Sequence, residues 1–110
     1  MSILYNQARG DTMTLDDVLL DIHALEDEMR TYERKYGVLT ETFYESFQRG
    51  EEPPDNASLR DWMAWSSAHE LWARRREQYR RAIQTLAQQT PNLAEMIGRA
   101  ARHELIPVPA

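Results

Sequence analysis

The chain has 110 residues, 42% hydrophobic and 28% charged, with a net charge of −5 and no cysteine. That length supports one domain with a modest core, and the missing cysteine excludes disulfides, thiolate nucleophiles and cysteine-ligated zinc. No apolar run approaches the ~20 residues that span a bilayer, and the first residues lack the basic start and apolar stretch of a signal peptide, so a cytoplasmic protein is expected.

Residues 1–13 carry no sustained pattern and read as a flexible N-terminal arm. Thr14 then offers an N-cap with Asp17 three residues on, and Asp16 and Asp17 add negative charge in the first turn, where the helix dipole favours it. From there Leu15, Val18, Ile22, Leu25, Met29, Tyr32 and Tyr36 alternate gaps of three and four, which is the seam of a long amphipathic helix over 15–36. Leu19 widens that stripe, and Gly37 is the natural stop. A short helix over 41–49 follows, with Thr40 as N-cap, Phe43, Tyr44 and Phe47 on one face, and Gly50 at its end. Glu51-Glu52-Pro53-Pro54-Asp55-Asn56 is a loop, since prolines forbid a helix there.

Ser58 is the expected cap of a third helix over 59–88, with Asp61 in the box position. Its seam is expected along Trp62, Trp65, His69, Trp72, Arg76, Tyr79, Ile83 and Leu86, again by threes and fours. Arg76, on that seam, would run its stem along apolar surface with the charge outward. Thr90-Pro91 looks like cap and first position of a fourth helix over 91–105, with Leu93, Met96, Ile97, Ala100, Ala101 and Leu105 as its apolar face and residues 107–110 as a tail.

No segment alternates with period two. The expected fold is therefore all-α: one helical domain over 14–106, an antiparallel hairpin of two long helices that is coiled-coil-like in its spacing, with a short connecting helix and a C-terminal helix folding back over the overhanging end of the third. Tyr32 and Tyr36 would then meet Trp62 and Trp65, with the short helix capping that aromatic end.

Charge is unevenly divided. Residues 1–57 hold thirteen acidic and five basic side chains, and residues 58–110 hold five acidic and eight basic. The densest feature is Arg74-Arg75-Arg76-Glu77-Gln78-Tyr79-Arg80-Arg81. Arg74, Arg75, Arg80 and Arg81 could pair across the hairpin with Asp16, Asp17, Asp21 and Glu26, grip an acidic protein partner, or hold nucleic-acid phosphates. His69, between two tryptophans, reads as a hydrogen-bonded core residue. His23 and His103 stand apart without ligand spacing, and no acid lies three residues before any histidine, so no metal or other cofactor is expected. Nor is there a nucleophile signature or a Gly-rich phosphate loop. An enzyme is not expected.

The order Glu33-Arg34-Lys35-Tyr36-Gly37, Thr40-Glu41, Phe43-Tyr44-Glu45, Phe47, Gly50-Glu51 and Asp61-Trp62 resembles a group of short prokaryotic helical proteins of the antitoxin type. The resemblance covers about residues 15–87. It implies a helical protein that neutralises a partner protein, such as a toxin encoded nearby, by direct contact. A nucleic-acid-binding protein using the arginine-rich face, and a self-associating coiled coil, are the alternatives; no membrane partner is expected.

Overall fold

The computed structural model describes residues 13–108; the arm expected over 1–13 lies outside them except for Met13, as do the last two residues of the tail. The fold is all-α. Its helices are α1 (Leu15–Tyr36), α2 (Thr40–Gln48), α3 (Asn56–Gln89) and α4 (Leu93–Ala101). α1 and α3 form the antiparallel hairpin: Tyr36 bonds Asp61, Trp72 bonds Glu26 and Arg75 bonds Asp21, so numbering falls along α1 as it rises along α3. At a rise of ~1.5 Å per residue, the 34 residues of α3 exceed the 22 of α1 by roughly 18 Å.

The helix boundaries follow from local chemistry. At α1 the box closes reciprocally: the Asp17 amide donates to Thr14 Oγ1 (3.3 Å) while the Thr14 amide donates to Asp17 Oδ2 (3.0 Å). Gly37 ends the helix in the left-handed region at φ +79°, its amide on the Glu33 carbonyl. Three other expected caps are corrected. Thr40 does not cap α2; Leu39 precedes that helix, and Thr40 is buried with its side chain bonded elsewhere. Asp55, not Ser58, starts α3, accepting from the Ser58 amide at 2.7 Å. Asn92, not Thr90, caps α4, accepting from the Glu95 amide at 2.9 Å, while the Thr90 hydroxyl donates back to the Leu86 carbonyl at the end of α3.

The described residues group into two compact units, each holding one end of α1 and α3. The unit over 22–74 is aromatic. Leu25, Met29, Phe43, Trp65 and Ala68 are buried, with Tyr32, Tyr36, Tyr44, Phe47, Trp62, Leu71 and Trp72 packed against them. Phe43 lies flat on Trp65 with ring centroids 4.0 Å apart, and Tyr32 and Tyr36 stack on the same indole at 5.7 and 5.9 Å. The meeting of both tyrosines with Trp65 and the capping of that end by Phe43 and Phe47 are as the spacing predicts.

The unit formed by 13–21 and 75–108 is aliphatic. Leu15, Ala82, Leu86 and Ile106 are buried together, flanked by Tyr79, Ile83, Met96, Ala100 and Val108. α4 folds back onto this cluster, but it stops at Ala101 rather than 105. Arg102 closes it and His103 turns left-handed at φ +58°, so the chain reverses. Leu105 is consequently no part of a helical face; it is exposed, and Ile106 is buried in its stead. Pro107 pairs with Thr14 in an isolated antiparallel bridge, with the Leu15 amide on the Ile106 carbonyl and the Val108 amide on the Met13 carbonyl, both at 2.9 Å. One of the orphan amides at the start of α1 is thereby satisfied by backbone.

The seam of α3 keeps its rhythm but not all its members. Trp65, Trp72, Tyr79 and Leu86 lie on it as expected; between them sit Ala68, Arg75 and Ala82, where His69, Arg76 and Ile83 were expected. Ala68 and Ala82 are buried, His69 and Ile83 only half-buried, and Arg76 is exposed. The physical reason is the closeness that alanine allows. A row of four residues spaced by seven, Asp61, Ala68, Arg75 and Ala82, faces α1, alternating small residues with charged ones that reach partners on α1.

Candidate functional site

The arginine run divides when its partners are placed. Arg75 Nε donates to Asp21 Oδ2 at 2.8 Å with its side chain mostly covered, and its Nη1 reaches Gln78. Arg80 and Arg81 both close on Glu77 one turn earlier in their own helix. Two guanidinium groups on one carboxylate, Arg80 first, hold Glu77 down to about 2. Of the other acids expected opposite the run, Asp16 meets His103 Nδ1 at 2.9 Å, Glu26 accepts from Trp72 Nε1 at 3.1 Å, and Asp17 closes the α1 box. Interhelical pairing therefore accounts for Arg75, and pairing along α3 accounts for Arg80 and Arg81. Arg74 is exposed.

The larger irregularity in this unit is on α4. None of its residues is buried, although its apolar residues are concentrated on one arc. Met96 and Ala100 line the inner flank of that arc against the aliphatic cluster. Leu93 and Ile97 lie on the outer flank, 66% and 54% exposed, with exposed Ala101 a turn beyond. Leu105, 86% exposed, adds a further bare side chain after the helix. In this short stretch three large aliphatic side chains stand in water, whereas scattered single ones would need no explanation.

In the aromatic unit a polar chain runs through the packed rings. Trp65 Nε1 donates to Thr40 Oγ1 at 2.9 Å, and Thr40 donates both its hydroxyl (2.7 Å) and its amide (2.9 Å) to Glu33 Oε2. Glu33 thus takes the role of α2's cap from seven residues upstream. Nearby, Asp61 Oδ2 accepts from Lys35 Nζ at 2.7 Å and Tyr36 OH at 2.6 Å, and those donors, Lys35 first, hold its carboxyl below the ordinary range. Glu33, Lys35, Tyr36, Thr40 and Asp61 thus hold the fold through these contacts. His69 corrects an expectation: it packs between Tyr44 and Trp72, but its Nδ1 is buried without a hydrogen-bond partner.

Beside His69 lies an open cleft of about 320 Å³, lined by Glu26, Glu33, Leu39, Glu41 and Trp72 among others. Sequence reasoning missed it because its walls come from all three helices of that unit. Among the described residues no group of three or more side chains is placed to hold a metal ion, and no helix is long and apolar enough to cross a membrane. Compared with protein-family models, curated proteins and solved structures, the chain finds no match in any of the three.

Proposed function

We propose that this protein acts by binding a partner protein rather than by catalysis, as an antitoxin-like component that masks its partner by direct contact. The observation that carries this reading is α4, an amphipathic helix with Leu93 and Ile97 left bare on its outer flank. Leaving a Leu or Ile side chain in water forgoes roughly 1.5–3 kcal/mol that burial would return, and a partner surface supplies that burial. The arginines then set orientation at the rim rather than affinity, because Arg75, Arg80 and Arg81 already hold carboxylates. The same pairing weakens the nucleic-acid alternative, which needs cations free to displace counterions from phosphates.

The test is co-expression with the products of adjacent genes, followed by co-purification. A stable complex is expected, lost with Ile97→Asp while the melting temperature of the isolated chain stays unchanged. A complex that survives both Leu93→Asp and Ile97→Asp, or none with any adjacent product, rejects the reading. Sedimentation at two concentrations separates a second copy of this chain from a foreign partner. Salt-sensitive binding to DNA or RNA at ~50 mM salt, lost on neutralising Arg74, Arg80 and Arg81, would favour the nucleic-acid alternative instead.

A further inference from the structure

The bare flank of α4 stands close to the point where the described chain begins. The Val108 amide donates to the Met13 carbonyl at 2.9 Å, and Val108 packs against the same aliphatic cluster that Met96 and Ala100 flank from α4. The chain that precedes Met13 therefore sets out from the cluster on which α4 rests. Its sequence divides in two. Ile3-Leu4-Tyr5 is a run of three large apolar residues, and Asn6-Gln7-Ala8-Arg9-Gly10-Asp11-Thr12 holds no apolar side chain larger than alanine. That is the composition of an anchor on a polar tether. From Met13 back to Tyr5 the chain reaches at most roughly 27 Å when extended, and about 16 Å on average as a flexible coil. A helix with its side chains is only about 10–12 Å across, so the outer flank of α4 lies within either reach.

We propose that Ile3, Leu4 and Tyr5 fold back onto the outer flank of α4 and cover Leu93 and Ile97 until the partner protein displaces them. This rests on the partner-binding reading and adds the regulation of that same face. The contact is apolar on both sides, since no charged residue falls within Ile3-Leu4-Tyr5 and the facing side chains are Leu93 and Ile97, with Ala101 a turn beyond. Few side chains take part, so the contact would be too weak to hold two separate molecules. The tether changes that balance, because a short flexible link sets an effective concentration on the order of mM. A weak cover is then populated, yet a partner with a larger interface removes it. The cover shields the flank from chance apolar contacts and lowers the apparent affinity of the true partner by the fraction left uncovered.

The chain has no cysteine, so Ser2→Cys offers a single point for a nitroxide label in the full chain. Paramagnetic broadening is read by NMR at the methyl groups of Leu93 and Ile97, with those of Val38 and Met63 in the aromatic unit as reference. Broadening is expected at Leu93 and Ile97 above the reference. Adding Ile3→Ser with Leu4→Ser, which keeps the tether and removes the anchor, is expected to lower it about fivefold, as burial of two aliphatic side chains is lost. No broadening at Leu93 and Ile97, or the same broadening with and without the two serines, overturns the proposal. Broadening that arises only between a labelled chain and a separate isotope-enriched one does so too, since it assigns the cover to a second copy. The measurement is made on the chain without a partner. It can therefore fail while the Ile97→Asp co-purification succeeds, and succeed while that one fails.

Discussion

The unit over 22–74 and the unit formed by 13–21 with 75–108 close the same helical hairpin by different means. The first contains all three tryptophans and both phenylalanines, and it locks them by ring stacking and by side-chain hydrogen bonds to Thr40, Glu33 and Asp61. The second relies on Leu15, Ala82, Leu86 and Ile106, with backbone hydrogen bonds between the start of α1 and the chain beyond α4. Stacked rings carrying polar handles demand particular positions, whereas an aliphatic cluster demands chiefly volume. The lesson concerns what fixes the packing, rings with polar handles in one unit and aliphatic volume in the other; large apolar side chains stand exposed in both, Leu93 and Ile97 in the aliphatic unit and Val38, Leu39 and Met63 in the aromatic one.

That contrast can be broken most forcefully at its two centres. Trp65→Ala is expected to cost about 3–5 kcal/mol, because it removes three ring contacts and a buried hydrogen bond together, and Leu86→Ala about 2–5 kcal/mol, toward the lower part of that range. Urea unfolding of the two variants decides the matter; a larger loss at Leu86 would invert the comparison. Next in size is Thr40→Val, which keeps the shape and removes the hydroxyl between Trp65 and Glu33. Leaving the indole N–H buried and unpaired is expected to cost about 1–3 kcal/mol, read as a fall in melting temperature. On the other unit Thr14→Ala removes the α1 cap for about 1 kcal/mol, with amide exchange accelerated in the first turn of that helix.

The smallest effect is electrostatic and appears as a pH profile. Glu77 has its carboxyl held at about 2 against an ordinary value of 4.5 by Arg80 and Arg81. A lowered carboxyl favours the folded state above the ordinary value, and that contribution is lost as pH falls from about 4.5 towards 2. Glu77→Gln is therefore expected to flatten the decline of melting temperature across that acid window and to leave it unaltered in slope near neutrality. An unchanged acid limb would mean that solvent screens the pair completely.

Much of the helical plan was legible because period and punctuation coincide. The threes and fours from Leu15 to Tyr36 define α1 as found, and Gly37 and Gly50 stop helices at positive φ. Caps were less legible, for a local reason: Asp55, Ser58, Thr90 and Asn92 are all competent oxygen acceptors, and the one used depends on where the chain leaves the loop. Thr40 was misread because a tertiary partner, Trp65, claims its hydroxyl. The seam of α3 was partly misread because Ala68 and Ala82 are small enough to look neutral in a hydrophobic pattern, although small size is what lets two helices approach. Of the candidate site, Arg75, Arg80 and Arg81 were visible as a cluster, but their engagement by Asp21 and Glu77 was one of several pairings available.

The sequence alone determined that this chain is helical and where its first long helix begins and ends, because hydrogen bonding within a helix and the alternation of apolar residues are local properties. Only the tertiary structure decided which flank of α4 stays bare, which row of α3 meets α1, and that Glu26, Glu33 and Glu41 line one cleft. Those outcomes depend on the close approach of segments far apart in the chain, where the depth of an alanine or the reach of an arginine selects among pairings that local pattern leaves equal.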